Sequence, residues 1–267
     1  MAIRNYTPSR RHRRGVSIRS RNFLYGTLAT AILLQISYPL IHGSALTLVT
    51  LATVYCAAIA MITHAQLSFG SKYAIQYFVL TFLFGYFIEL LGVHSGWPFG
   101  IYSYDSSLGP ALLGVPLVVP FAWVSMVHPV LCAARRIAGN WVFLYGGALL
   151  AAWDLFTDSQ MVDAGRWSWK FDGAHIPFVP KVPLSNALGW LLAGIAIVGL
   201  LHRVLPVERR KESLDLGAVT AYLGWTLFAG VIGNIFFFDH PGLGFFGGII
   251  FGVLALPYLF SSWLGRP

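Results

Sequence analysis

Eight apolar runs, each close to the length that crosses a hydrocarbon core, govern what this sequence can fold into. A spanning helix needs roughly 20 apolar residues to cover about 30 Å. The runs lie at about 23–41, 45–64, 73–92, 113–133, 141–157, 186–204, 216–238 and 244–263. In lipid every backbone N–H and C=O must be satisfied inside the protein, so such runs become helices. The expected fold class is all-α: a polytopic integral membrane helical bundle of about eight transmembrane helices. It has seven if the short fifth run, which carries Asp154, does not span. The composition agrees, with 57% hydrophobic residues and 10% charged, against roughly 25% charged in an average soluble domain. That excludes a disordered chain and leaves too little charge to cover a soluble enzyme.

The net charge of +8 invites a nucleic-acid reading, but its placement points elsewhere. Residues 1–21 hold Arg4, Arg10, Arg11, Arg13, Arg14, Arg19 and Arg21 and no acid. Residues 1–22 therefore read as a basic cytoplasmic tail, and 23–267 as a single transmembrane domain. With eight spans, 15 Lys and Arg fall on the tail side and only Arg166, Lys170 and Lys181 on the other. This asymmetry follows the positive-inside rule. It predicts a multi-pass protein of the cell membrane with both termini cytoplasmic, membrane lipids around it and no nucleic-acid partner. Cys56 and Cys132 sit in apolar runs and read as buried thiols. The histidines show no metal-ligand spacing. His64 and His128, toward the cytoplasmic ends of their spans, read as interface residues.

Two outer loops, about 93–112 and 158–185, are long and rich in aromatics, Gly and Pro. They carry Trp97, Phe99, Tyr102, Tyr104, Trp167, Trp169, Phe171 and Phe178. Aromatics of this kind can form an interfacial belt. Two such loops on one face also suggest a lid over a site. Beneath them the spacing gathers polar groups at one depth: Glu89 near the end of span three, Asp154 and Asp158 at the end of span five, Asn186 opening span six, and Asn234 and Asp239 ending span seven. Asp154 and Asp158 are four residues apart and share a helix face. Asp239, beside His240 and Pro241, also reads as a turn residue. Acids inside spans are costly and are usually functional.

Desolvation disfavours the charged form of a carboxylic acid, so an acid in a dry pocket can act as a general acid near neutral pH. Aromatic faces can stabilise a cation, and a second carboxylate can orient a water. Those parts suit protonation of an alkene, followed by water capture or cyclisation. Neither outcome needs a metal or other cofactor. The Asp154-x-x-x-Asp158 pair also admits an intramembrane prenyltransferase reading, in which magnesium and a diphosphate are held. Few basic residues lie near it to bind phosphates.

Longer motifs carry a resemblance. They are Glu89-Leu90-Leu91-Gly92, Gly96-Trp97-Pro98-Phe99-Gly100-Ile101-Tyr102-Ser103-Tyr104, Leu108-Gly109-Pro110 and Gly114-Val115-Pro116-Leu117. Further on come Trp153-Asp154-Leu155-Phe156-Thr157-Asp158, Met161-Val162, Gly165-Arg166-Trp167-Ser168-Trp169, Val182-Pro183-Leu184-Ser185-Asn186 and Gly189-Trp190. In this order, over residues 85–190, they resemble the membrane carotenoid-biosynthesis proteins of the CruF-type hydratase family. One departure is Thr157-Asp158-Ser159, where the family would have a proline-containing segment soon after the second Asp.

The resemblance implies a cofactor-independent hydro-lyase. It would add water across the terminal double bond of an acyclic carotenoid end group, leaving a tertiary hydroxyl. Gamma-carotene, a lycopene-like carotene or a C50 precursor would be the substrate, and other enzymes of the pathway are candidate partners. Asp154 or Glu89 is the expected proton donor. Trp97, Trp153, Trp167 and Tyr104 are the expected cation stabilisers, and Asp158 and Asn186 would hold the water. Phe99, Tyr102, Trp169 and Trp190 complete the expected substrate-binding set. The rivals are a carotenoid end-group cyclase, which uses the same acid but excludes water, and a non-catalytic lipid or carotenoid binding or transport protein.

Overall fold

The computed structural model describes residues 16–209 and 216–264. Eight long helices run through them: α1 (Ile18–Ser37), α2 (Gly43–Phe69), α3 (Ser71–Ser95), α4 (Val118–Ile137), α5 (Val142–Asp163), α6 (Leu184–Val204), α7 (Gly217–Phe236) and α8 (Pro241–Trp263). The helical class is as expected, and seven of the eight are long and apolar enough to cross a membrane. The exception is α5, which carries Asp154, Asp158 and Asp163. Its first two acids are buried, so α5 runs through the bundle without presenting them to lipid. The protein is a multi-pass helical membrane protein.

Several boundaries differ from the apolar runs. Helix α1 starts at Ile18, because the Ser17 hydroxyl accepts from the Ser20 amide and caps it. Most of the arginine tail lies outside the described residues. Helix α5 runs on to Asp163, six residues past the apolar run, because Thr157-Asp158-Ser159 contains no proline to stop it. Asp158 is therefore a mid-helix residue, one turn above Asp154.

Tight helix crossings rest on small residues, as is usual where lipid supplies no hydrophobic drive. At the α5–α6 crossing a Cβ on Gly194 would lie 2.9 Å from the Gly147 Cα. At the opposite end of the bundle from the aromatic loops, α4 clamps two helix C-termini. Arg135 donates to the carbonyls of Leu201, Leu205 and Pro206 at the end of α6, and Arg136 donates to the Ser261 carbonyl and hydroxyl near the end of α8. Cations there meet unpaired carbonyls and the negative end of the helix dipole.

Two sequence expectations are overturned: Cys56 is only half-buried, unlike Cys132, and the histidines are placed differently. His64 and His128 are not interface residues; both are fully buried. His64 Nδ1 and His128 Nε2 lie 2.9 Å apart in one hydrogen bond, amid the rings of Phe69, Tyr73 and Tyr77. Their hydrogen bond makes this burial tolerable, which depth along a span could not reveal.

The two aromatic loops fold into a single cap. Strand β1 (Tyr102–Tyr104) follows α3, and β2 (Ala111–Leu112) with β3 (Val115–Pro116) forms a small hairpin before α4. After α5 come β4 (Trp167–Trp169), β5 (His175–Ile176) and β6 (Val179–Pro183). Strands β1 and β4 pair antiparallel, with Tyr102 opposite Trp169 and Tyr104 opposite Trp167. Alternation along a strand puts all four rings on one face, with Ser103 and Ser168 on the other. The cap is pinned to the α7–α8 turn through Asp163, which binds Lys181 at 2.8 Å and His240 at 2.5 Å.

The glycine crossings give a direct test of the packing. Gly194→Ala forces a methyl group into the α5 backbone and is expected to destabilise the protein by about 1–3 kcal/mol. Gly26→Ala on α1, where a Cβ meets nothing within 4 Å, is expected to be neutral or slightly stabilising. Thermal unfolding in detergent separates the two.

Candidate active site

Glu89 is built into α3 by two glycines on its own helix face. Gly85 lies one turn before it, and a Cβ there would come 2.8 Å from Trp123 Cγ. Gly92 lies one turn after it, and a Cβ there would come 2.6 Å from the Tyr102 hydroxyl. The missing side chains let two donors reach the carboxylate. Trp123 Nε1 donates to Oε1 at 3.0 Å, and Tyr102 and Tyr104 donate to Oε2 at 2.6 and 2.7 Å. Burial, and then the neighbouring Glu89 charge, push both phenols well above their ordinary value. Both tyrosines therefore stay protonated and donate. Three donors converging on one carboxyl group favour its ionised form as acceptor.

The second acidic group is different in kind. Asp154 and Asp158 stand one turn apart on α5, both buried, and a single amide bridges their carboxyl groups. Two buried carboxyls this close disfavour both being ionised, because like charges repel in an apolar site. The Asn186 amide, in the first turn of α6, donates to both, at 3.3 Å to Asp154 Oδ2 and more closely to Asp158 Oδ2. Trp167 Nε1, from the cap, donates to Asp158 Oδ1 at 3.1 Å. Asp158 thus has two nitrogen donors and Asp154 one.

Both groups open on one cavity of about 700 Å³. Of the residues expected at the site, Glu89, Asp154, Asp158, Phe99, Tyr102, Tyr104, Trp153, Trp167, Trp169, Asn186 and Trp190 all line it. Trp97 is not brought in. It is 59% exposed and forms no part of the wall, consistent with a place in the membrane interface. Asn234 turns its amide to the Gly230 carbonyl of its own helix, and Asp239 occupies a left-handed turn position at φ 57°. Neither lines the cavity. Nor, among the described residues, does any lysine or arginine: Arg166 donates to Ser107 and Lys181 is paired with Asp163.

Sequence reasoning missed Trp123, which stacks on Trp190 at 4.3 Å with the rings 10° from parallel. The Gly85-x-x-x-Glu89-x-x-Gly92 face was the signal that something large approaches Glu89. It also missed the far wall, formed by the end of α1, by α2 and by α7. Among the described residues no group of three or more His, Cys, Asp or Glu side chains is arranged to hold a metal ion.

These features define a class: a polytopic helical membrane protein with a largely apolar, aromatic-walled cavity bearing buried carboxyl groups. Residues 23–255 match the family described as "Carotenoid biosynthesis protein", and the chain belongs to that family. A curated relative, bisanhydrobacterioruberin hydratase of Haloarcula japonica, is 36% identical over 123 residues, covering 43% of this chain and 40% of the relative. The chain thus matches less than half the length of that relative. No solved structure matches.

The glycine-flanked carboxylate can be tested by a double-mutant cycle. Tyr102→Phe removes one donor, and Gly92→Ala displaces the same hydroxyl. Each is expected to cost about 1–3 kcal/mol of stability in detergent. The pair together is expected to cost clearly less than the sum, because both act on one hydrogen bond.

Proposed function

We propose that the protein is a carotenoid hydratase that adds water across the terminal double bond of an acyclic carotenoid end group. The observation that carries this reading is the division of labour among the acids. One carboxyl group takes three donors, and a separate buried pair bridged by Asn186 lines the same apolar cavity. Family membership supports the substrate class, as does the curated relative's name.

In the proposed reaction Asp154, the less solvated member of the pair, gives its proton to the terminal alkene carbon that becomes the new CH₂. The π electrons form that C–H bond and leave a tertiary cation. The Glu89 carboxylate and the faces of Trp123, Trp190 and Tyr104 stabilise the cation. A water held at Asp158 and Asn186 attacks the cation, forms the C–O bond and loses a proton to Asp158. That proton passes to the neighbouring Asp154, one helix turn away, which restores the starting state. The sum is alkene plus water giving a tertiary alcohol, without a redox change.

A diphosphate substrate is disfavoured by the cavity wall, which among the described residues holds no lysine or arginine to meet phosphates. A cyclase would use the same acid and cation pocket. The donors gathered at Asp158 favour hydration, because they place a water-binding acceptor beside the acid. We also propose that the protein sits in the cell membrane with the basic tail cytoplasmic, which puts the site near the outer face.

Expression in a lycopene-producing bacterium tests the reading. The wild-type protein is expected to yield a carotene heavier by one water. Asp154→Asn and Asp158→Asn are expected to lower that yield about 100-fold or more at equal protein level, the usual scale of general acid–base catalysis. A product isomeric with lycopene would favour the cyclase. Full conversion by both variants would refute the assignment.

A further inference from the structure

The cavity does not close around the site. From the acids it runs past α4 toward α1, α2 and α7, where Gln35, Ile36, Tyr38, Thr50, Thr53, Trp225, Phe228, Ala229 and Gly233 line it. Membrane helices expose many apolar side chains to lipid, so exposure alone means little. Four large apolar residues, however, both line the cavity and are exposed: Ile36 at 49%, Leu40 at 73%, Phe228 at 56% and Phe237 at 56%. All four belong to the end of α1, the turn Tyr38–Leu40 that follows it, or α7 and its end. No exposed large apolar residue on α3, α5 or α6 lines the cavity. The opening is therefore a lateral gap between α1 and α7. A hydrogen bond from Trp225 Nε1 to Gln35 Oε1 at 2.5 Å crosses that seam. On α7, Gly230 and Gly233 also line the cavity and seat the rings of Phe156 and Phe238, which a Cβ there would meet at 2.5 and 2.8 Å.

The length of the substrate gives such a gap a use. An acyclic carotene is a rod about as long as the hydrocarbon core is thick, about 30 Å. A cavity of about 700 Å³ is of the size that takes a drug-sized molecule. Resting on the carotenoid reading above, we propose that the isoprenoid chain of the substrate leaves the site through the α1–α7 gap and continues into the bilayer. The far end of the rod then stays outside the protein. The enzyme would select the end group and not the chain length or the opposite terminus.

The test replaces Gln35 and Trp225 by cysteine in a Cys56→Ala, Cys132→Ala background. After folding, the pair is bridged in liposomes with a bifunctional thiol reagent that reduction cleaves. Lycopene retained by the protein and hydrated product are both measured, before and after reduction of the same sample. Bridging is expected to lower lycopene retention and product at least tenfold, and reduction to restore them. Retention and turnover unchanged by bridging would overturn the proposal. Retention that responds to bridging with no hydrated product in either state supports the gap and refutes the hydratase reading. A second arm compares lycopene with a shorter acyclic carotene carrying the same end group. Comparable kcat/KM, within about threefold, is expected. A drop of more than tenfold for the shorter rod would place its far end inside the protein and overturn the proposal.

Discussion

A carboxylate in the interior of an apolar bundle is tolerable only when donors replace the water it has lost, since an uncompensated buried charge costs several kcal/mol. The half of the bundle beneath the aromatic cap is organised around that constraint. Glu89 takes one donor from α4 and two from β1. Asp158 takes one from α6 and one from β4. Because β1 and β4 pair with each other, the same cap serves both acidic groups. Loosening the cap would leave two buried acids short of partners at once.

That coupling explains why loops at a membrane face are so ordered. The Tyr-Ser-Tyr and Trp-Ser-Trp segments place four rings over the cavity. Tyr102 faces Trp169 with ring centres 5.9 Å apart, and Tyr104 faces Trp167 at 5.8 Å. Three of the four also donate to the acids, so the lid and the polar shell of the site are the same residues. An apolar cavity with one carboxyl group held by three donors and a second, paired set beside it is, on the proposed reading, suited to generating and quenching a cation. Preorganised groups of this kind need little rearrangement during reaction.

Much of this was legible in the sequence. The helices followed from apolar run lengths, and the acids from their rarity and their common depth. Asp154 and Asp158 shared a face by spacing alone. The pairing of β1 with β4 was not legible, because it joins segments more than sixty residues apart and each strand is only three residues long. Nor was Trp123, whose role depends on gaps at Gly85 and Gly92 that matter only once the helices pack. His64 and His128 were misplaced because burial of a polar pair depends on a partner from another helix. Trp97 belonged to the same aromatic motif as Phe99, yet they point opposite ways. Period and motif do not say which residue of a turn faces inward.

The central claim is that a proton from the carboxyl pair is delivered to carbon and that water then supplies the oxygen. Purified protein in liposomes, given lycopene in D₂O and separately in H₂¹⁸O, tests it most directly. The account predicts a tertiary alcohol with one non-exchangeable deuterium on the carbon next to the carbinol. It also predicts one solvent-derived oxygen, with both labels lost in Asp154→Asn. A hydroxylated product lacking carbon-bound deuterium, or carrying oxygen from a source other than water, would contradict it.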